Sequence, residues 1–97
     1  MVSKVGAVLR ALSATMPDGA GTTTVASRTG ITRPTAHRLL TALASEGFVD
    51  RDQQSGRWLL GPELYLMGAV AADRYDITDL AREHLQSLAE LTGESAF

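Results

Sequence analysis

A chain of 97 residues, 44% hydrophobic and 21% charged, is long enough for one small globular domain with an appended helix. It has no cysteine and only two histidines, which excludes a disulfide framework and a thiolate metal site, and no apolar run approaches the roughly 20 residues of a membrane span. The net charge of −2 hides an asymmetry: residues 1–61 carry seven basic against four acidic side chains, net +3, whereas residues 62–97 carry two against seven, net −5, so only the first part favours phosphate.

Val2, Val5, Val8, Leu9, Leu12 and Met16 recur at three- and four-residue spacing and predict a first helix, with Ser3 placed to cap it. Arg10 interrupts what would otherwise be a signal-peptide core, so a cytoplasmic location is expected. Met16-Pro17-Asp18-Gly19-Ala20-Gly21 ends the periodicity with turn chemistry.

A short second helix is expected from Thr22 or Thr23 to Thr29, burying Val25 and Ala26 and stopping at Gly30, a residue suited to a left-handed cap. Gly30-Ile31-Thr32 then makes a tight turn. A third helix over residues 32–46 starts with Thr32 as cap and Pro34 in the first turn, where its missing N–H costs nothing. Its apolar stripe is Ala36, Leu39, Leu40, Leu43 and Ala44, which leaves Arg33, Pro34, His37, Arg38 and Thr41 on other faces.

Gly47 ends that helix. Phe48-Val49-Asp50-Arg51 and Arg57-Trp58-Leu59-Leu60 predict a two-stranded hairpin whose polar tip is residues 52–56, with Phe48 and Trp58 covering the core. Gly61-Pro62 restarts helix, and Leu64, Met67, Val70 and Ala71 give this linker an apolar side before the polar break at Asp73-Arg74-Tyr75-Asp76. A last amphipathic helix is expected after it, capped by Asp76 or Thr78, striped by Ile77, Leu80, Ala81, Leu85, Leu88 and Leu91, and stopped at Gly93. The expected fold is therefore mainly α: three helices plus a two-stranded β-hairpin wing over 1–61, a linker helix over 62–76, and one further amphipathic helix over 77–97.

Two short helices joined by a tight turn, the second with basic side chains on its first turns, have the form of a major-groove reader. On that reading Arg33, Thr35, His37, Arg38 and Thr41 reach base edges or phosphates, Arg38 being able to grip a guanine with two parallel hydrogen bonds. Arg51 and Arg57 beside the hairpin tip would follow the adjacent backbone, and Ser27 and Arg28 on the second helix would meet a flanking phosphate, with Asp50 and Asp52 partly offsetting the wing. Taken singly, each is also an ordinary solvated side chain. The helix-turn-helix followed at once by a hairpin is the more specific signal. Leu64, Met67, Val70 and Ala71 are expected at a dimer contact, because the preceding domain closes around its own hydrophobics.

No serine, histidine and carboxylate recur at catalytic spacing, and His84 stands beside Glu83 on an ordinary helix face, so a hydrolase is a poor reading and neither enzymatic activity nor a cofactor is expected. The competing reading is a winged-helix module that binds protein instead of DNA.

The chain resembles the N-terminal part of IclR-type transcriptional regulators over nearly its whole length. The similar segments are residues 4–12, Val25-Ala26-Ser27-Arg28-Thr29-Gly30-Ile31, Thr35-Ala36-His37-Arg38-Leu39-Leu40, Leu43, Glu46-Gly47-Phe48-Val49 and Trp58-Leu59-Leu60-Gly61. The resemblance implies a homodimer or homotetramer on palindromic double-stranded operators. It also implies a C-terminal domain that binds a small effector, of which residues 79–94 look like the opening helix, so the chain is expected to be a fragment.

Overall fold

The computed structural model describes residues 1–75 and 82–83. In chain order they form α1 (Val2–Thr15), α2 (Thr22–Thr29), α3 (Arg33–Ser45), β1 (Val49–Arg51), β2 (Trp58–Leu60) and α4 (Pro62–Ala72). The mainly helical winged arrangement is the one expected. The last amphipathic helix, with its caps at Asp76 or Thr78 and with His84, lies outside the described residues. Two units are distinguished, Met1–Leu66 and Met67–Phe97, the division falling within α4. No helix of the described residues is long and apolar enough to cross a membrane.

The core of the first unit is Val8, Leu12, Ala20, Val25, Leu40, Val49 and Trp58, so every element from α1 to β2 contributes to it. Leu9, Ile31, Leu39, Leu43, Ala44 and Leu60 pack around its margin. Ala11, Ala26 and Ala36 are buried as well, small side chains that let three short helices approach closely.

Two expectations at α1 fail. The helix starts at Val2 with Met1 in the cap position, because the Met1 carbonyl accepts from the amides of Lys4 and Val5 at 3.1 Å each. Ser3 is therefore inside the first turn and caps nothing. Val2 and Met16, at the two ends of the expected stripe, are 84% and 42% exposed. The helix is longer than the core that it covers.

The reversal between α1 and α2 does more than turn the chain. Ala20 pairs with Trp58 as an isolated antiparallel bridge, its amide donating to the Trp58 carbonyl at 3.0 Å and its carbonyl accepting from the Trp58 amide at 2.7 Å. Gly19 makes this approach possible: it has φ +80°, and an added Cβ would overlap the Trp58 carbonyl oxygen. The hairpin is thus stitched to the linker before α2 as well as to the core.

α2 ends as expected, with Gly30 in the left-handed conformation (φ 72°) and its amide on the Ala26 carbonyl. Thr32 occupies the cap position of α3 and Pro34 its first turn. The Thr32 hydroxyl, however, bonds to the Thr35 hydroxyl at 3.0 Å and caps no backbone amide. β1 and β2 are each one residue shorter than expected and pair antiparallel, Val49 with Leu60, Asp50 with Leu59 and Arg51 with Trp58. Trp58 is buried, whereas Phe48 is only half-buried.

Candidate nucleic-acid interface

α3 is anchored on one side and open on the other. Ala36 and Leu40 are fully buried, and Leu39, Leu43 and Ala44 border the core. Pro34, His37, Arg38, Thr41 and Ser45 are exposed, and their three- and four-residue spacing puts them on one face, with Arg33 exposed one turn before His37. That face offers donors and cations from α3 with the helix N-terminus at one end, an arrangement that suits anionic oxygen.

Its side chains are held as well as displayed. Arg33 Nε donates to Thr23 Oγ1 of α2 at 3.0 Å, tying the starts of the two helices together. Arg38 Nη2 donates to Thr35 Oγ1 at 3.3 Å, and the Thr32 hydroxyl bonds to the same oxygen. The threonine oxygen thus orients Arg38 and uses only one of the five guanidinium N–H groups. Ser27 and Arg28 are exposed on α2. Arg28 stands in the last turn of that helix, where its charge complements the dipole.

The wing tip is closed by Asp52. Its carboxylate accepts from the Ser55 hydroxyl at 2.7 Å and from the Gln54 and Ser55 amides at 3.3 and 3.4 Å. Its backbone pairs with Arg57 and Gly56, and the Ser55 hydroxyl oxygen in turn accepts from the Arg57 amide. Asp52, expected to offset the arginines of the wing, has its carboxylate bound within the turn. Arg57 is exposed beside it. Arg51 is exposed too, but its Nε donates to the Gly56 carbonyl at 3.2 Å and its guanidinium carbon lies 4.7 Å from the Trp58 ring centroid.

The Ser55 hydroxyl first, and then the Gln54 and Ser55 amides, hold the Asp52 carboxyl below its ordinary value of 3.8. A lowered folded-state value means that the contribution to the closed tip is complete above the ordinary value and is lost as pH falls through the lowered one. The Gln54 and Ser55 amide resonances are therefore expected to titrate with a midpoint below 3.8 and to be flat from pH 5 to 8. A midpoint at or above the ordinary value would contradict the closed tip.

Three contacts of this surface escaped the sequence reading. Thr22 is buried, and its hydroxyl accepts from Trp58 Nε1 at 2.9 Å. Arg51 stacks over Trp58, and the His37 ring meets the same indole edge to face, 6.2 Å between centroids at 72°. A buried tryptophan needs an acceptor for its N–H, and Thr22, a polar residue at an expected helix start, was the available signal. Among the described residues no group of histidine, aspartate and glutamate could hold a metal ion.

The four expected dimer residues lie on α4. Val70 is 73% exposed, Met67 52% and Ala71 exposed, while Leu64 is half-buried. Tyr65 and Leu66, 78% and 56% exposed, enlarge the apolar surface beyond the expected set.

Residues 1–53 match the family described as the IclR helix-turn-helix domain. The chain is 39% identical over 75 residues to the glycerol operon regulatory protein of Streptomyces coelicolor, covering 77% of this chain and 30% of that one. To the transcriptional repressor IclR of Escherichia coli it is 29% identical over 73 residues, 75% of this chain and 27% of that one. The solved IclR transcriptional regulator of Alicyclobacillus acidocaldarius superposes with a TM-score of 0.70 at 38% identity, over 95% of this chain and 37% of that one. HmgR of Pseudomonas aeruginosa superposes at 0.71 with 27% identity, over 93% and 37%. The chain spans about 30% of the length of the curated relatives it matches.

Proposed function

The chain belongs to the IclR helix-turn-helix family, and from that premise we propose that it regulates transcription by reading a specific DNA duplex with α3. The observation that carries this reading is the division of α3 into a face locked in the core and an open face bearing Arg33, His37, Arg38 and Thr41. Thr35 supports the reading from inside the same turn by orienting Arg38. Arg51 and Arg57 hold the backbone beside the wing, and Ser27 and Arg28 meet the flanking phosphates. The partner is double-stranded DNA.

Titration of a labelled duplex at several salt concentrations tests this. Each phosphate neutralised by an arginine releases counterions, so log affinity should fall linearly with log salt, by about 0.9 per contact. Absence of binding at low salt would leave the protein-binding alternative standing.

The same proposal includes pairing of two copies through α4, so that two recognition helices meet a palindromic operator in successive major grooves. It also includes control by a small effector bound in a C-terminal domain, which would act by changing the separation of those helices. The exposure of Met67 and Val70 on a helix whose sequence, PELYLMGAVAA, is apolar nearly all round supports the pairing. Met67→Asp, which buries a charge if that face is an interface, is expected to give monomers on sizing. A variant that stays dimeric would assign association to another surface.

A further inference from the structure

Trp58 is the tryptophan of a chain that has one, and three elements converge on its indole. From α2, Thr22 Oγ1 accepts its N–H at 2.9 Å. From α3, the His37 ring meets it edge to face with 6.2 Å between centroids. From β1, the Arg51 guanidinium lies over the ring at 4.7 Å, as the pairing of Arg51 with Trp58 across the hairpin allows. The indole itself is fixed, being buried, hydrogen-bonded at its nitrogen and paired through its main chain to Ala20.

We propose that Trp58 is a positioning residue for DNA binding: its fixed indole holds the exposed Arg51 of the wing and the exposed His37 of α3 in place before the duplex arrives. The proposal rests on the DNA-binding reading above, and it adds to the phosphate-contacting side chains a residue that touches no phosphate itself. An arginine on a hairpin otherwise loses rotamer freedom when it grips phosphate. Here the ring carries the guanidinium face and the Gly56 carbonyl carries Nε, so the Nη groups remain to donate with little further ordering. Lysine at the same position keeps the charge but not the planar fork.

The test uses the 97-residue chain, a labelled duplex of random sequence and the tryptophan emission. Arg51→Lys should weaken the random duplex about three- to tenfold, the loss expected from ordering one flexible side chain. The salt slope should not change, because the number of charges is the same. In a Trp58→Leu background the same replacement should cost less than about twofold. In the free protein, Arg51→Lys and His37→Ala should each shift the emission of Trp58.

Unchanged affinity in Arg51→Lys, an equal loss in both backgrounds, or unmoved emission would overturn the proposal. If Trp58→Leu does not fold, the affinity, salt slope and emission of Arg51→Lys decide it. A wild-type chain that ignores the duplex at low salt would instead remove the DNA reading, and the emission shifts, measured without DNA, would still report whether the indole holds the two side chains.

Discussion

Leu40→Ala is expected to lower stability by about 2 to 5 kcal/mol, a large part of the roughly 5 to 15 that a domain of this kind possesses. Leu40 is fully buried at the middle of α3 and shares a core with Val8, Leu12, Val25, Val49 and Trp58. Removing the isopropyl group beyond its Cβ takes away the transfer energy of three methyl-sized groups and leaves a cavity among partners from α1, α2 and the hairpin, none of which can move in without giving up its own contacts. In urea the midpoint should fall at an unchanged slope, since the surface exposed on unfolding is nearly the same. Leu39→Ala, at the margin of the core, should cost less. Duplex affinity measured well below the new midpoint should stay within a factor of about two, because Leu40 is fully buried in the core and presents nothing to a duplex. A loss under about 1 kcal/mol would mean that the side of α3 opposite its basic residues is not the anchored one.

The order of elements was legible because each boundary is written in local chemistry. Gly30 must follow a short helix in a left-handed turn, Pro34 belongs in a first turn, and Gly47, with φ +81°, stops α3 where the strands begin. The open face of α3 was legible for the same reason: period 3.6 puts Arg38 and Thr41 on the side away from Ala36 and Leu43 whatever surrounds them. What escaped depends on residues distant in sequence. Thr22 and Trp58 are 36 positions apart, and a threonine at the head of a helix is a signal for a capping hydroxyl but does not name the indole that it meets. The stacking of Arg51 depends on the register of the hairpin, which strand pattern and turn geometry set together, and the bridge from Ala20 joins Trp58 to a residue 38 positions away. Ser3 failed for a simpler reason: capping preferences name a residue type, and Met1 supplied the carbonyl that closed the turn two residues earlier. The apolar surface on α4 extends beyond one stripe, because the helix also exposes Tyr65 and Leu66.

Arg38→Ala is expected to weaken binding to a specific operator by about 1 to 3 kcal/mol, roughly fivefold to 150-fold, with relaxed preference at one base pair. Thr35 Oγ1 accepts from Arg38 Nη2 at 3.3 Å and so orients the guanidinium on the open face of α3. An oriented, planar fork suits the two acceptors of guanine, O6 and N7, which demand parallel donors, whereas a phosphate oxygen accepts from many directions. The two outcomes separate in the salt dependence. Loss of a base contact should leave the slope of log affinity against log salt nearly unchanged while the preference over random duplex shrinks; loss of a phosphate contact should reduce the slope by about one and weaken all duplexes alike. Arg38→Lys sharpens the distinction, because a lysine restores a phosphate contact but not a planar pair of donors. Thr35→Val, which removes only the oxygen that orients Arg38, should reproduce part of the loss of Arg38→Ala and add little to it in the double variant. Fully multiplicative losses would mean that Thr35 and Arg38 meet the duplex independently.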